Sequence, residues 1–260
     1  MSVVAAATSR RRRRPATRAH KIAISVYLVL FAVVAVVSLI PIRTGFLRLM
    51  LVSGIFSLWA GALFLFWDRI VVRVICFSLA LAAGTLVFLP MRTIDQDALR
   101  SEYLRSLQGY NGTPYLWGGE THLGIDCSGL VRVGLIDAEF KEAIRTRNFI
   151  LLRKSASLWW NDCSAQALGE EFQGRTRHIL DTRSLNTADY SQIQPGDMAI
   201  IFNGTHILVY RGEKTWIAAD PDVMKVVTTH VPDQQKSFIT PARIMRWRIM
   251  EPTPASVEPR

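Results

Sequence analysis

Three apolar runs in the first third of the chain limit its architecture more than any other feature. Residues 22–42, 49–67 and 74–91 contain no Asp, Glu, Lys, Arg or His. As helices they would measure roughly 31, 28 and 27 Å, against about 30 Å for the hydrocarbon core of a bilayer. One such run is compatible with a buried core helix, but three in succession are not. The expectation is therefore three transmembrane helices within residues 22–92. Gly54, Ala60, Gly61 and Ala62 in the second run, and Ala80, Ala82, Ala83 and Gly84 in the third, are small enough for close helix packing. With no charged side chain inside them, the runs read as an anchor rather than an ion or proton path. The first run exceeds the apolar stretch of a cleaved signal peptide. It is followed by Ile40-Pro41-Ile42-Arg43, which lacks a small-x-small cleavage site.

Charge orients the anchor. The net charge is +10, but Arg10 to Arg14, Arg18 and Lys21 supply seven positive charges, and without them the balance falls to +3. Such a tail, without interleaved aromatics or a base-reading fold, excludes a nucleic-acid partner. It fits the cytoplasmic side of a membrane, where Lys and Arg accumulate. Three crossings then deliver the remainder to the extracytoplasmic, or periplasmic, side of the cytoplasmic membrane as part of a multi-pass protein. The expected organisation is a basic tail over 1–21, three membrane helices over 22–92, a domain over 93–250 and a C-terminal tail over 251–260.

Within that domain, residues 115–129 read YLWGGETHLGIDCSG. Asp126 is a capping residue for a helix that starts at Cys127. A thiol there faces the positive end of the helix dipole and unpaired N–H groups. Both favour the thiolate and an oxyanion. Gly118 and Gly119 allow the backbone to pass close to a ligand. The plain alternative is a buried structural cysteine. About eighty residues on, Pro195-Gly196-Asp197 forms a turn, Asn203-Gly204 a second, and His206 opens an apolar strand, where it can serve as a base for Cys127.

The remaining cysteines are weaker candidates. Cys163 stands in a second Asp-Cys-Ser but lacks the glycine approach and the following glycine, and Cys76 lies inside the third apolar run. Three cysteines spaced this way are no disulfide framework, although Cys127 and Cys163 could pair if the fold brought them together. Of the other histidines, His20 lies in the tail, while His178 and His230 are expected at the surface. His122 is either a cleft or a plain loop residue.

Helical periodicity is expected over 94–107, 127–138, 141–152 and 155–168. A polar, irregular stretch follows over 170–194, then strands at 198–202, 207–211, 215–219, 225–229 and 243–249. Helices followed by a strand meander predict an α+β domain. No cluster has metal-ligand spacing and no glycine loop suits a phosphate, so neither metal nor cofactor is expected.

The pieces YLWGG, DCSGL, PGDM and THILVYRG, in that order, resemble the NlpC/P60 family of cell-wall cysteine peptidases, over roughly residues 95–250. The resemblance implies a papain-like α+β fold with the cysteine helix packed on the histidine sheet. It also implies hydrolysis of peptidoglycan stem peptides, commonly between D-γ-glutamyl and diaminopimelyl residues. Cys127 would be the nucleophile, His206 the base and the Cys127 N–H an oxyanion donor. Tyr115 would point its hydroxyl into a site bordered by Gly118, Gly119, Asp126 and Ser128. The family's third polar position falls on Ala218. Asp220, two residues on and on the same strand face, would lie opposite His206 if residues 212–214 form a hairpin loop. It either orients the imidazole or begins a turn ahead of Pro221. Two rival readings are a silent wall-binding module and a cysteine acyltransferase or amidase acting on lipid. The order of Cys127 before His206 favours the peptidase.

Overall fold

In a computed structural model, residues 18–201 and 204–251 are described, apart from the side chain of Val87. The arginine run at 10–14, Asn203 of the second turn and most of the C-terminal tail lie outside them. Two apolar helices form an antiparallel hairpin, α1 (Arg18–Leu39) and α2 (Gly45–Leu65). Both are long and apolar enough to cross a membrane. Each helix begins four residues earlier than the uncharged run that predicts it. The chain leaves α1 just before Ile40-Pro41, since a residue preceding proline is disfavoured in the helical region. The Arg43 guanidinium then donates to the Val37 and Ser38 carbonyls that α1 leaves open, at 3.0 and 2.7 Å. Thr44 caps α2 by accepting from the Leu47 N–H. Gly54 and Gly61 lie against Val34 and Tyr27 of α1, as small residues at a helix contact should.

The third expected span is altered. The run 74–91 gives α3 (Ile70–Val87), which takes Arg73 into its first turn and ends ahead of Leu89-Pro90. Two helices therefore meet the length and hydropathy of a span, and this third apolar helix is shorter over its described residues. Ala80, Ala82, Ala83 and Gly84 are exposed instead of packed, while Cys76 is buried where α3 meets α2, its carbonyl accepting from Trp59 Nε1.

The remainder is α+β. Helix α4 (Gln96–Gly109) leads to a small hairpin of β1 (Glu120–Thr121) and β2 (Gly124–Ile125). Three helices follow: α5 (Cys127–Thr146), α6 (Phe149–Trp160) and α7 (Ala165–Gly169). The strands are β3 (Thr176–Thr182), β4 (Met198–Ile201), β5 (His206–Gly212), β6 (Thr215–Asp220) and β7 (Lys225–His230). A short α8 (Lys236–Ile239) precedes β8 (Ala242–Trp247). The six long strands form one antiparallel sheet in the order β3-β8-β4-β5-β6-β7.

Alternation along the central strands divides the core in two. Met198, Ile200, Ile207, Val209 and Ile217 face the layer made by α4 and α5. Ala199, Ile201, Leu208, Tyr210, Trp216 and Ala218 face a second cluster closed by Leu185, Ile193 and Phe238. Burial on both faces explains why these strands read as continuous apolar runs. The expected irregular surface at 170–194 contains β3, an edge strand paired only to β8, with largely exposed side chains. Residues 127–146 form one helix instead of two, and the break comes at Arg147, in the left-handed region, before Asn148 caps α6.

Candidate functional site

Asp126 builds the site. Its extended backbone precedes α5, and its Oδ1 accepts from the Gly129 N–H at 2.6 Å and from Ser128 Oγ at 2.9 Å. Its Oδ2 accepts from the Gly118 N–H at 2.7 Å, and its own N–H donates to the Gly119 carbonyl at 3.1 Å. One carboxylate thus caps the helix and fastens the glycine turn to it. Gly118 sits at φ 72°, and a Cβ on Gly119 would lie 2.4 Å from the Gly124 carbonyl oxygen, so both positions need glycine. The Gly119 N–H is also used, donating to the Leu116 carbonyl. The donors left at this corner are those of the helix N-terminus rather than of the glycine turn.

Cys127 is the first residue of α5 and is buried. The N–H groups of Ile207, Ser128 and Cys127 itself favour its thiolate, but burial outweighs them and the Asp126 charge adds to it. The thiol is pushed up to about 12. The helix position therefore does not by itself give a thiolate in the free protein. His206 opens β5 one residue before Ile207 and is buried as well. Burial lowers its pKa from 6.5, against the charges of Asp220 and Asp222. Burial thus disfavours the charged form of both the thiol and the imidazole. A pKa lowered on folding contributes stability that is complete above the unfolded value of 6.5 and is lost as pH falls toward the folded value.

A pH profile follows from this arrangement. Alkylation of Cys127 by iodoacetamide should rise continuously from pH 6 to 9. A rate that levels off below pH 7 would mean that a thiolate–imidazolium pair already exists in the free protein.

The hairpin between β5 and β6 turns at Glu213 and Lys214, both at positive φ, with Gly212 opposite Thr215 and an irregularity at Arg211. Beyond it Tyr210 pairs with Trp216 and Val209 with Ile217. Continued along the strands, that register brings His206 opposite Asp220. The two-residue turn and the irregularity together reproduce the register of the expected three-residue loop. Asp220 is buried, and its Oδ1 accepts from the N–H groups of Asp222 at 2.7 Å and Val223 at 3.3 Å, so it caps the turn into β7. Among the described residues no hydrogen bond joins it to His206. Asp222, exposed on that turn, is a second carboxylate acting on the imidazole that sequence reasoning missed.

Charge and turn can be separated by substitution. Asp220→Asn keeps an oxygen for the turn and removes the charge. It should fold like the parent yet turn over at least about tenfold more slowly, about 1.4 kcal/mol in the barrier. A variant as active as the parent across the pH profile would leave Asp220 with the turn alone.

Tyr115 donates its backbone N–H to the Met224 carbonyl and bridges to Ile125. Its hydroxyl is raised to about 12 by burial and then by the charges of Cys127, Asp126 and Asp220, which locates all four groups in one neighbourhood. A groove of about 360 Å³ runs from exposed Trp117 past Gly118, Ser128 and Gly129 to Cys163. Cys163 is buried, pushed up to about 12 mainly by burial, and free, as are Cys76 and Cys127. His122 stacks on Tyr110 at 4.0 Å between ring centroids, a packing role. Asp197 of the Pro-Gly-Asp turn forms a two-pronged ion pair with Arg246 of β8, both contacts at 2.7 Å, and holds the Gln194 N–H. That motif carries structure. No group of three or more His, Cys, Asp or Glu suited to a metal occurs among the described residues.

A cysteine starting a helix, packed on an antiparallel sheet whose strand opens with histidine, defines the papain-like α+β class. The chain belongs to the NlpC/P60 family, whose model matches residues 112–243, just over half of the 260 residues. Dipeptidyl-peptidase 6 of Lysinibacillus sphaericus is 47% identical over 38 residues, 15% of this chain and 14% of that protein. The match thus spans about a seventh of that relative's length. The peptidoglycan hydrolase RipB of Mycobacterium tuberculosis is 19% identical with a TM-score of 0.38, over 60% of this chain and 67% of that one. The P60 domain of a Mycobacterium avium subspecies paratuberculosis antigen is 17% identical with a TM-score of 0.37, over 61% of this chain and 99% of that one.

Proposed function

We propose that this chain is a membrane-anchored, extracytoplasmic cysteine peptidase that hydrolyses an amide bond in peptidoglycan stem peptides, of the D-γ-glutamyl–diaminopimelate type. Family membership supports the substrate class. The observation that carries the mechanism is Cys127 at the first position of α5, with the N–H of His206's neighbour Ile207 directed at its sulfur.

Burial disfavours the charged form of both groups, so the His206 imidazole accepts the S–H proton as the sulfur bonds to the amide carbon. The carbonyl oxygen gains the negative charge and lies against the N–H groups at the start of α5. Collapse breaks the C–N bond, and His206 returns its proton to the leaving amine. Water, deprotonated by His206, then displaces the thiol from the thioester. Tyr115 lies near the Cys127 sulfur, where it would border the acyl group. The reading is tested by incubating the full chain, in detergent, with purified muropeptides and following them by mass spectrometry. New fragments cut at an amide are expected. Muropeptides that bind and remain intact would favour a wall-binding module, and deacylated lipid in place of cut peptide would favour the lipid-acting alternative.

The anchor's topology has independent support. The connector between α1 and α2 touches the domain, Pro41 accepting from the Glu120 N–H at 3.0 Å and Ile42 bridging to Gly119. Connector and domain must then share one side of the membrane, so α2 and α3 either both cross or neither does. Helix α3, 18 residues or about 27 Å long, is shorter than α1 and α2, and its crossing is part of this proposal. With the basic tail inside, three crossings export residues 93–260. A reporter active only outside the cytoplasm should work when fused after Arg260 and fail when fused at the N-terminus. The reverse pattern overturns this topology.

A further inference from the structure

Helix α5 carries a carboxyl group that peptide hydrolysis does not use. Glu139 lies three turns beyond Cys127 and is 2% exposed, and its Oε2 has no hydrogen-bond partner among the described residues. Burial pushes its pKa up to about 8, with Lys154 and Arg175 pulling the other way. A buried polar group left unpaired costs roughly 1–3 kcal/mol, a cost that a ligand's hydrogen bond would remove.

Glu139 lines a cavity of about 500 Å³ between α5, α6 and the end of β8. Arg153 and Lys154 of α6, both exposed, stand at its mouth, and neither has a hydrogen-bond or ion-pair partner among the described residues. Arg175 lies deeper and uses one nitrogen on Ser157 Oγ at 2.9 Å. Met91 and Phe149 supply an apolar lip. Cations outside, one polar group within and an apolar lip suit a phosphate ester that ends in a hydrogen-bond donor and is attached to an apolar body.

The position of the mouth identifies the source of that ester. Helix α6 is strung between the two points where the domain meets apolar helices. At one end the Phe149 N–H donates to the Pro90 carbonyl at 3.1 Å, three residues beyond α3. At the other the Trp160 carbonyl accepts from Arg48 of α2 at 3.4 Å. Between them Arg153, Lys154, Ala156 and Trp160 are exposed, the basic and aromatic mixture found at membrane interfaces. We propose that this cavity binds the phosphate headgroup of a membrane phospholipid, with Arg153, Lys154 and Arg175 on the phosphate and Glu139 on the terminal donor of the headgroup. The assignment rests on the membrane topology given above and not on the peptidase reading.

The test uses the delipidated full chain in a neutral detergent, without peptidoglycan, so that its failure and that of the peptidase reading stay distinct. Binding of dihexanoyl phosphatidylglycerol, which carries phosphate and terminal hydroxyls, is measured calorimetrically beside inorganic phosphate and dihexanoyl phosphatidylcholine, which lacks a terminal donor. Saturable binding of phosphatidylglycerol is expected, at least tenfold tighter than either comparison. The surface variant Arg153→Ala/Lys154→Ala should weaken it at least tenfold while unfolding like the parent. Glu139→Leu, which leaves phosphate contacts in place and removes the hydrogen-bonding group, should narrow the gap between phosphatidylglycerol and phosphatidylcholine. Equal binding of inorganic phosphate would replace the lipid by a free anion. Absence of phosphatidylglycerol binding, or binding undiminished in the Arg153→Ala/Lys154→Ala protein, overturns the proposal.

Discussion

Cys127→Ala is expected to reduce muropeptide cleavage by roughly 10⁴-fold or more, the scale of loss when a covalent nucleophile is removed. The variant should still fold. Cys127 sits in the core at the start of α5, but its departure removes one sulfur atom and leaves the Asp126 cap in place. Cys163 provides the internal control. It is buried too, and its thiol is raised to about 12 by the same cause. It follows Asp162 in a connector between α6 and α7 instead of starting a long helix, and no strand histidine adjoins it. Cys163→Ala should therefore retain most of the activity. Cleavage measured by mass spectrometry and undiminished in the Cys127→Ala protein ends the cysteine-peptidase reading, whatever the Cys163 variant does.

The parts of this site that could be read from the chain are those specified locally. Asp126 followed by small residues and then Leu130-Val131 contains its own cap and its own apolar face, so the start of α5 was legible. The register that sets Tyr210 opposite Trp216 and Val209 opposite Ile217 was legible because pairing in a short hairpin follows from counting. Length was harder than onset. The helix continues to Thr146 with Glu139 and Glu142 buried on it, and buried acids erase the apolar periodicity from which a helix end is judged. Strand β3 stayed hidden because an edge strand with largely exposed side chains shows no alternation. The thiolate inferred from the helix dipole was a question of magnitude. The dipole and N–H groups favour the anion, burial opposes it, and only the fold shows that burial is stronger. Arg48 lies inside α2, and its partner is 72 residues away, a separation no local pattern reports.

That partner is Glu120, and its removal should cause the largest loss of stability. The Glu120 carboxylate is almost fully buried and receives Arg48 Nη2 at 2.8 and 3.0 Å, with Arg132 of α5 on the same oxygen. Arg48 and Arg132 are each 1% exposed. Arg132 also donates to the Leu158 and Asn161 carbonyls at 3.2 and 3.3 Å. Among the described residues, the other acid within 4 Å of these guanidinium groups is Asp162, 3.5 Å from Arg132 and largely exposed. Glu120→Ala strands two buried guanidinium groups, and breaking a buried pair in this way costs roughly 3–5 kcal/mol, a large part of the roughly 5–15 kcal/mol that holds an ordinary domain folded. The damage would fall where the apolar hairpin meets the site, because Glu120 also donates its backbone N–H to the Pro41 carbonyl and adjoins Gly119, whose carbonyl holds the Asp126 N–H. Urea unfolding of the full chain in micelles, followed by tryptophan fluorescence, should show a lower midpoint together with faster proteolysis in the 40–44 connector. Glu120→Leu combined with Arg48→Met and Arg132→Leu should recover most of the midpoint, since apolar groups of similar volume remove the stranded charges as well as the pair. A Glu120→Ala protein within about 0.5 kcal/mol of the parent, the scale of an ordinary surface substitution, would mean that water reaches these guanidinium groups and that the apolar hairpin is only loosely joined to the loop ahead of Cys127.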